Sequence, residues 1–484
     1  MPSRILDQRR LLLVHPLGYR AAAASRDISR KANLMPPLGL ASLAAYAEQQ
    51  GMAADIIDCF ARPDSDAGIV AYLREHRPAF LGLTTTTSSF HDAARIAALA
   101  KAELPDLTTV VGGAHVSAVR ERILELAPAV DVVVAGEGER PLLGIMERDR
   151  QDWKDVPGLV YRADGGIVST GLQGPGIELD SLPFPAYEKL AGFPDLYRLP
   201  IFNYPRTPNT SCISSRGCPY ACSYCDRSVF RRSFRYNSAD YLYHHLAYLK
   251  DRWRIRHVNF YDDQFTFNRE RVEAFCRMLI DRPLGMTFNC AVRAEHVDFP
   301  LLQLMKAAGC WMISLGIETG DPDLLAQHRQ NADLQLLGER IRDIHRAGIR
   351  TKGLLMIGLP GETERSVRNS MDYVFSLPID DFNLAKFTPF PGSPIYERIH
   401  ELGAFDEDWD KLDCMHLQFV PHGLTRERLE ELFTAFYRAH FMRPRTQWGY
   451  VQMLWKSPDS WRRFLGNLRS FLAFAFSNRR LGDA

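Results

Sequence analysis

Cys218, Cys222 and Cys225 fall within one short stretch at CxxxCxxC spacing, just after an apolar, strand-like run and Gly217. Three thiolates this close can hold three corners of a [4Fe-4S] cluster, and the missing fourth ligand leaves one iron open to a small molecule. Such a cluster is a reaction centre rather than a structural staple. Two other readings compete: a structural zinc site with Cys212 as fourth ligand, or a chance grouping of core cysteines. Zinc motifs usually pair two CxxC or His units across a loop, and no second pair lies downstream, which favours the cluster.

A reactive loop needs a frame that aims other groups at it. Apolar runs at Ser211–Ser214, His257–Tyr261, Thr287–Val292, Trp311–Gly316, Lys352–Ile357 and Phe382–Phe387 alternate with helix-like segments from Ala239 to Leu377. This beat predicts a partial (β/α)6 barrel over residues 207–393, with its reactive face at the carboxyl ends of the strands. Polar motifs fall at those ends. Tyr261-Asp262-Asp263-Gln264 closes the second strand, Arg293 the third, Gly316-Ile317-Glu318 the fourth, and Ile357-Gly358-Leu359-Pro360-Gly361-Glu362 the fifth. Each alone reads as surface charge; together, after the cysteine loop, they argue for a site.

Residues 1–150 carry a second βα series. Strands are predicted at Leu11–Val14, Ala53–Ile57, Phe80–Thr84, Thr109–Gly112 and Val130–Ala135, with helices at Leu38–Gln50, Ala67–His76, Phe90–Leu104 and Ser117–Leu126. Continuously apolar strands between amphipathic helices indicate an α/β fold with a doubly wound, flavodoxin-like parallel sheet, which binds ligands at its carboxyl edge. That edge carries Thr84, Thr86, Gly112 and Gly113, small residues that admit a bulky ligand close to the backbone. A receiver domain would place an acidic pair after its first strand, and none stands there.

The cysteine loop, with Tyr224 directly before its last cysteine, resembles the signature loop of the radical S-adenosylmethionine (SAM) superfamily. The first unit, with its Ser/Thr-rich third strand end and Gly-Gly fourth, resembles the cobalamin-binding domain that precedes many radical SAM domains. The resemblance implies a cluster whose open iron binds the methionine end of SAM and whose electron breaks a C–S bond to give a 5′-deoxyadenosyl radical. It further implies Arg293 on the SAM carboxylate, Glu318 on the ribose hydroxyls, and Gly358 and Gly361 near adenine, with Tyr224 also on the SAM side. Thr84, Thr86, Gly112 and Gly113 are the expected cobalamin contacts. For Asp262 and Asp263, contact with SAM stays open.

One motif departs from the pattern. His15 and Gly18 keep the HxxG part of the cobalamin motif DxHxxG, but Leu13 stands where the Asp belongs. Without a carboxylate to fix its tautomer, His15 is a weak ligand, and cobalamin is expected without a protein axial ligand.

Families of this combined type include C- and P-methyltransferases and the anaerobic oxidative cyclase of bacteriochlorophyll synthesis. The expectation is therefore a methyltransferase acting on an unactivated carbon of a natural-product, lipid or tetrapyrrole precursor, fed by an electron donor such as flavodoxin or ferredoxin. Oxidative cyclisation and a non-catalytic corrinoid or redox sensor are the alternatives. Methylthiotransfer to tRNA needs three further N-terminal cysteines, and Cys59 is the only cysteine before Cys212.

Composition agrees. The 484 residues suggest two or three domains, and a net charge of +1 implies no general affinity for nucleic acid. Nine cysteines, mostly scattered singly, argue against a disulfide framework and for a reducing, cytoplasmic setting. The apolar run Leu11–Val14 is too short for a signal or a membrane span. Residues 151–206 read as a Pro- and Gly-rich linker with a small hairpin, and 394–484 as a helical cap. In its tail, Trp455, Trp461, Phe464, Phe471, Phe474 and Phe476 interleave with Lys and Arg. Such a tail either lies on an anionic membrane or packs on the barrel's open side.

Overall fold

The computed structural model describes residues 9–18, 33–63, 65–163, 165–174 and 176–469. Its first sheet is built from β1 (Leu11–His15), β2 (Ala54–Asp58), β3 (Phe80–Thr84), β4 (Thr108–Gly112) and β5 (Val132–Val134), all parallel, in the order 2-1-3-4-5. The strands are apolar on both faces because both faces are covered. Leu11 and Leu13 enter one core, while Leu12 and Val14 enter the other. The covering helices are α1 (Leu38–Gln49), α2 (Ser65–His76), α3 (Phe90–Glu103), α4 (Ala114–Val119), α5 (Glu121–Leu126) and α6 (Glu139–Glu147). The single helix expected over Ser117–Leu126 is instead two short ones, broken where Arg120 takes a φ of +54°. Strand order reverses at β1, which opens a crevice at the carboxyl edge.

The hairpin expected in the connector, β6 (Leu159–Ala163) and β7 (Gly166–Ser169), adds two antiparallel strands beyond β5 and so completes the first sheet. The rest of the connector crosses to the second unit.

That unit begins with β8 (Asn209–Cys212). The two-residue strands β9 (Ser215–Arg216) and β10 (Arg235–Tyr236) pair antiparallel and clip the cysteine loop at its base. Then follow α7 (Ala239–Trp253), β11 (His257–Phe260), α8 (Arg269–Asp281), β12 (Thr287–Val292), α9 (Phe299–Ala307), β13 (Cys310–Glu318), α10 (Pro322–His328), α11 (Leu334–Arg346), β14 (Arg350–Ile357), α12 (Glu364–Ser376) and β15 (Asp381–Lys386). All six long strands are parallel, in the order 15-14-13-12-11-8, and β8 does not pair with β15. The result is the expected partial barrel. Helix α10 is absent from the sequence reading, though its start is marked by Asp321, whose side chain accepts from Leu324 N–H, and by Pro322 in the first turn.

The C-terminal region is mostly helical, as expected, with α13 (Arg426–Phe441), α14 (Pro444–Lys456) and α15 (Pro458–Gly466). It also contains an unforeseen antiparallel pair, β16 (Gly403–Phe405) and β17 (Phe419–Pro421). The segment between them crosses to the first unit, where Trp409 packs edge-on against Phe90 and His115. Phe471, Phe474, Phe476, Arg479 and Arg480 lie outside the described residues. No described helix is long and apolar enough to cross a membrane.

Candidate functional site

Residues 218–225 form an irregular loop at the carboxyl end of the barrel. Cys218 is half-buried, Cys222 buried and Cys225 exposed. Burial raises the Cys218 thiol; Cys225 has an exposed side chain but is partly desolvated by the protein around it, and this setting together with the charges of Asp263 and the other two cysteines raises its thiol as well. Among the described residues no three His, Cys, Asp or Glu side chains stand close enough to share one ion. Cys212 is fully buried against Tyr187, in the main core rather than the loop. Cys212 is thus not placed to serve as a fourth ligand at the loop.

The loop is tied down from three strand ends. Asp262, after β11, is fully buried and accepts from the backbone N–H groups of Ser214 and Ser215 at 2.5 and 3.1 Å, and from the Ser214 hydroxyl. All its oxygens are spent on fixing the entry to the loop. Asp263, its neighbour, is exposed and faces the open cleft. From α10, the sequence-missed helix, His328 carbonyl accepts from Ser223 N–H at 3.0 Å. The His328 ring lies 2.7 Å from Pro360 O through Nε2 and 2.8 Å from Ser223 Oγ through Nδ1. A carbonyl can only accept, so Nε2 carries a proton; burial lowers the pKa of the ring, and in the neutral form this favours, Nδ1 accepts from the serine. One neutral histidine thereby joins the cysteine loop to the turn after β14.

Arg293, at the end of β12, is buried. It donates to Glu295 at 2.8 Å and to Gln330 O at 2.7 Å, lies 3.8 Å over the Tyr220 ring, and reaches within 4.0 Å of Cys222 Sγ. Its Nε is buried without a partner. Glu318 ends β13 with a φ of +63°. Burial raises its carboxyl pKa, opposed by Arg329 and by a hydrogen bond with Tyr224. Tyr224 also packs on the cluster containing Leu324 and Leu359. The turn after β14 uses Gly358 and Gly361 at φ of +89° and +83°, values that side chains avoid. Glu362 accepts from the N–H groups of Gly358 and Leu359 inside that turn, and burial pushes its carboxyl up to about 8.

Between the sheets lies a cleft of about 450 Å3. Leu13, Gly82, Thr84, Gly112, Gly113 and Gly136 line it from the first unit; Phe230, Tyr261 and Asp263 line it from the barrel. Thr86 does not: its hydroxyl is used by Ser89 in the turn that starts α3. The rim is closed by an ion cluster that the sequence did not reveal. Arg216, beside Gly217, donates to Glu137 and Glu139 at 2.6 Å each, and Arg235 also pairs with Glu137.

His15 requires a correction. Its Nδ1 stands 2.9 Å from Asp58 Oδ1, so the carboxylate missing two residues earlier in the chain arrives from the end of β2.

The family described as the B12 binding domain matches residues 28–145, and the radical SAM superfamily matches residues 212–374. The chain is a B12-binding radical SAM protein. An uncharacterized methyltransferase of Pyrococcus horikoshii is 26% identical over 85% of this chain and 88% of its own length. The anaerobic magnesium-protoporphyrin IX monomethyl ester cyclase of Rubrivivax gelatinosus is 27% identical over 97% of this chain and 83% of its own. Among solved structures, the cobalamin-dependent SAM radical enzyme OxsB, with aqua-cobalamin and SAM bound, superposes with a TM-score of 0.72 at 16% identity, over 98% of this chain and 74% of that one. That likeness shows a common fold.

The cofactors of a B12-binding radical SAM enzyme are a [4Fe-4S] cluster, SAM and cobalamin. This chain's groups fit them. Three thiols on one loop suit a cubane, the buried Arg293 guanidinium, with Nη1 within 4.0 Å of Cys222 and Nε unpartnered, suits an anion, and a glycine-rimmed apolar cleft suits a corrin.

Proposed function

We propose that this radical SAM protein is a cobalamin-dependent methyltransferase acting on an unactivated carbon of a natural-product, lipid or tetrapyrrole precursor. The observation that carries the reading is the shared cleft, where the first unit's strand ends face Asp263, a side chain close enough to Cys218 and Cys225 to raise both thiols. When bound, the cluster with SAM supplies a hydrogen-abstracting carbon radical, and cobalamin supplies a methyl group.

In this reading Cys218, Cys222 and Cys225 ligate iron. The Arg293 guanidinium matches the SAM carboxylate, Glu318 accepts from the ribose diol, and Tyr224 holds Glu318 in place. Gly358 and Gly361 keep the adenine side of the mouth low. Thr84, Gly112 and Gly113 seat the corrin, and Thr86 acts only by shaping the turn that begins α3. The ion cluster of Arg216, Glu137 and Glu139 fixes the distance between the two walls, and Asp263 is left to meet the substrate. The domains divide at about residues 150, 206 and 393, the first sheet borrowing the connector's hairpin. An electron donor of the flavodoxin or ferredoxin class feeds the cluster.

Oxidative cyclisation is the second reading, favoured by the cyclase relative that matches nearly the whole chain. Anaerobic turnover separates the readings. A methyltransferase of this design forms 5′-deoxyadenosine and S-adenosylhomocysteine in about equal amounts, while a cyclase forms only the first. Substrate consumption with deoxyadenosine but no homocysteine product overturns methyl transfer. Absence of deoxyadenosine under every condition returns the chain to the sensor class.

A further inference from the structure

Helix α14 presents two different faces. One packs inward: Thr446 and Met453 are buried, and Trp461 of α15 donates its indole N–H to the Tyr450 carbonyl at 3.1 Å. On the opposite side Trp448, Val451 and Trp455 stand at i, i+3 and i+7, with Leu454 beside them, and helical periodicity places all four along one stripe. Trp448 is 57% exposed, Leu454 51% and Trp455 60%. The two indole rings lie 6.2 Å apart, so the stripe is continuous. Phe441 and Met442, at the end of α13, extend the exposed apolar surface. Scattered exposed apolar residues need no explanation, but a ridge with two tryptophans does.

The charges beside the ridge decide what covers it. Helix α14 contains no Asp or Glu, and Arg445 and Lys456 flank the stripe as exposed residues. Residues 443–469 hold Arg443, Arg445, Lys456, Arg462, Arg463 and Arg469 against one acid, Asp459; Arg443 and Arg463 turn inward, to the Phe375 carbonyl and to the Leu199 carbonyl and Tyr204 hydroxyl, and the other four cations remain exposed. That acid is spent inward on the Tyr204 hydroxyl at 2.9 Å and on Arg198 at 3.8 Å. A second copy of this chain, docked face to face, would bring like charge against like. An anionic bilayer meets both halves of the pattern. Indole rings settle at the headgroup level, the aliphatic ridge enters the acyl boundary, and the cations remain among the lipid phosphates. We propose that the Trp448–Val451–Trp455 face of α14 seats this enzyme on an anionic lipid surface. The two placements open to the sequence, packing and membrane contact, are then opposite faces of one helix.

Flotation of the full-length, cluster-loaded protein with phosphatidylcholine vesicles, with and without phosphatidylglycerol, tests this. Binding is expected only to the phosphatidylglycerol vesicles, and it should weaken as salt shortens the screening length. Trp448→Glu with Trp455→Glu should reduce the bound fraction about tenfold, and Arg445→Glu with Lys456→Glu should reduce it to the neutral-vesicle level. An unchanged visible cluster band in both variants confirms that they fold. Three results overturn the proposal: a wild-type protein that stays below the vesicles, variants that float as well as wild type, or a concentration-dependent dimer that the tryptophan variants dissolve without any vesicle binding.

Discussion

His15 Nδ1 and Asp58 Oδ1 lie 2.9 Å apart although 43 residues separate them in the chain. Parallel pairing brings them together, since β1 and β2 run in register with His15 opposite Asp58. Asp58 is buried, and it also accepts from the Tyr197 hydroxyl and the Phe60 N–H, each at 3.0 Å. The imidazole is thus held in a local network beside Phe60 and is not among the side chains lining the cleft. His15→Ala should leave the visible spectrum of bound cobalamin unchanged while lowering stability by about 1 kcal/mol, the worth of one partly exposed hydrogen bond. A spectrum that shifts in the variant would put the His15 ring on cobalt and overturn this placement.

Removing any thiol of the loop should remove the cluster. In anaerobically reconstituted protein, Cys218→Ala, Cys222→Ala and Cys225→Ala should lose the brown absorbance and SAM cleavage together. Cys212→Ala, a change in the main core against Tyr187, should lose neither. Full iron content in the Cys222→Ala protein would sink the three-ligand assignment.

For SAM the two charged strand ends act separately from the cluster. Arg293→Ala and Glu318→Ala should each weaken SAM binding by about 1.5–3 kcal/mol, the range for a charged hydrogen bond, with iron content unchanged. Equilibrium binding on the cluster-loaded variants measures it, and unaltered affinity in both would remove these residues from the SAM site.

The strand ends were legible in the sequence because a parallel sheet places every carboxyl end on one edge, so locating the strands locates the residues. Arg293, Glu318 and Gly358 could be placed at their strand ends that way. What stayed hidden were contacts that only a second unit supplies. The Asp58 carboxylate comes from the next strand, and His328 rides on a seven-residue helix too short to show periodicity. Arg216 reads as a stray charge until Glu137 and Glu139 arrive from the other sheet. Thr86 erred in the opposite direction, because a hydroxyl near a strand end can be consumed by its own turn.

The turn after β14 predicts a pH dependence. Burial raises the folded-state pKa of Glu362 to about 8, far above the ordinary carboxylate value. The fold therefore favours the neutral acid. Its contribution is fully present below the usual carboxylate pKa and is lost as pH rises through about 8. Glu362→Gln keeps an acceptor for the Gly358 N–H and cannot ionise. Between about pH 5 and pH 9 the wild type should lose a few kcal/mol relative to this variant, read from urea midpoints at the two pH values. Parallel midpoints would show that the carboxyl ionises freely in the fold.

The ion cluster at the cleft rim makes the sharpest separation between the two halves of the site. Arg216 and Glu139 are 16% and 5% exposed at their side chains, so this pair is largely removed from water. Deleting the cation leaves Glu139 buried and unpaired, and leaves Glu137 with Arg235 alone. The cost of an uncompensated buried charge is about 3–5 kcal/mol, enough to let the two sheets part locally. Arg216 itself touches neither a loop cysteine nor a SAM-side residue through any of these bonds, so Arg216→Ala should retain iron and cleave SAM to deoxyadenosine. What it should lose is coupling, with methylated product per deoxyadenosine falling at least about tenfold, the loss expected when reacting groups are misplaced by about an ångström. Arg216→Lys keeps the charge but not the fork, and should recover part of the ratio. If Arg216→Ala lowers SAM cleavage and product in equal proportion, the cluster serves stability alone and does not set the spacing between the cleft's walls.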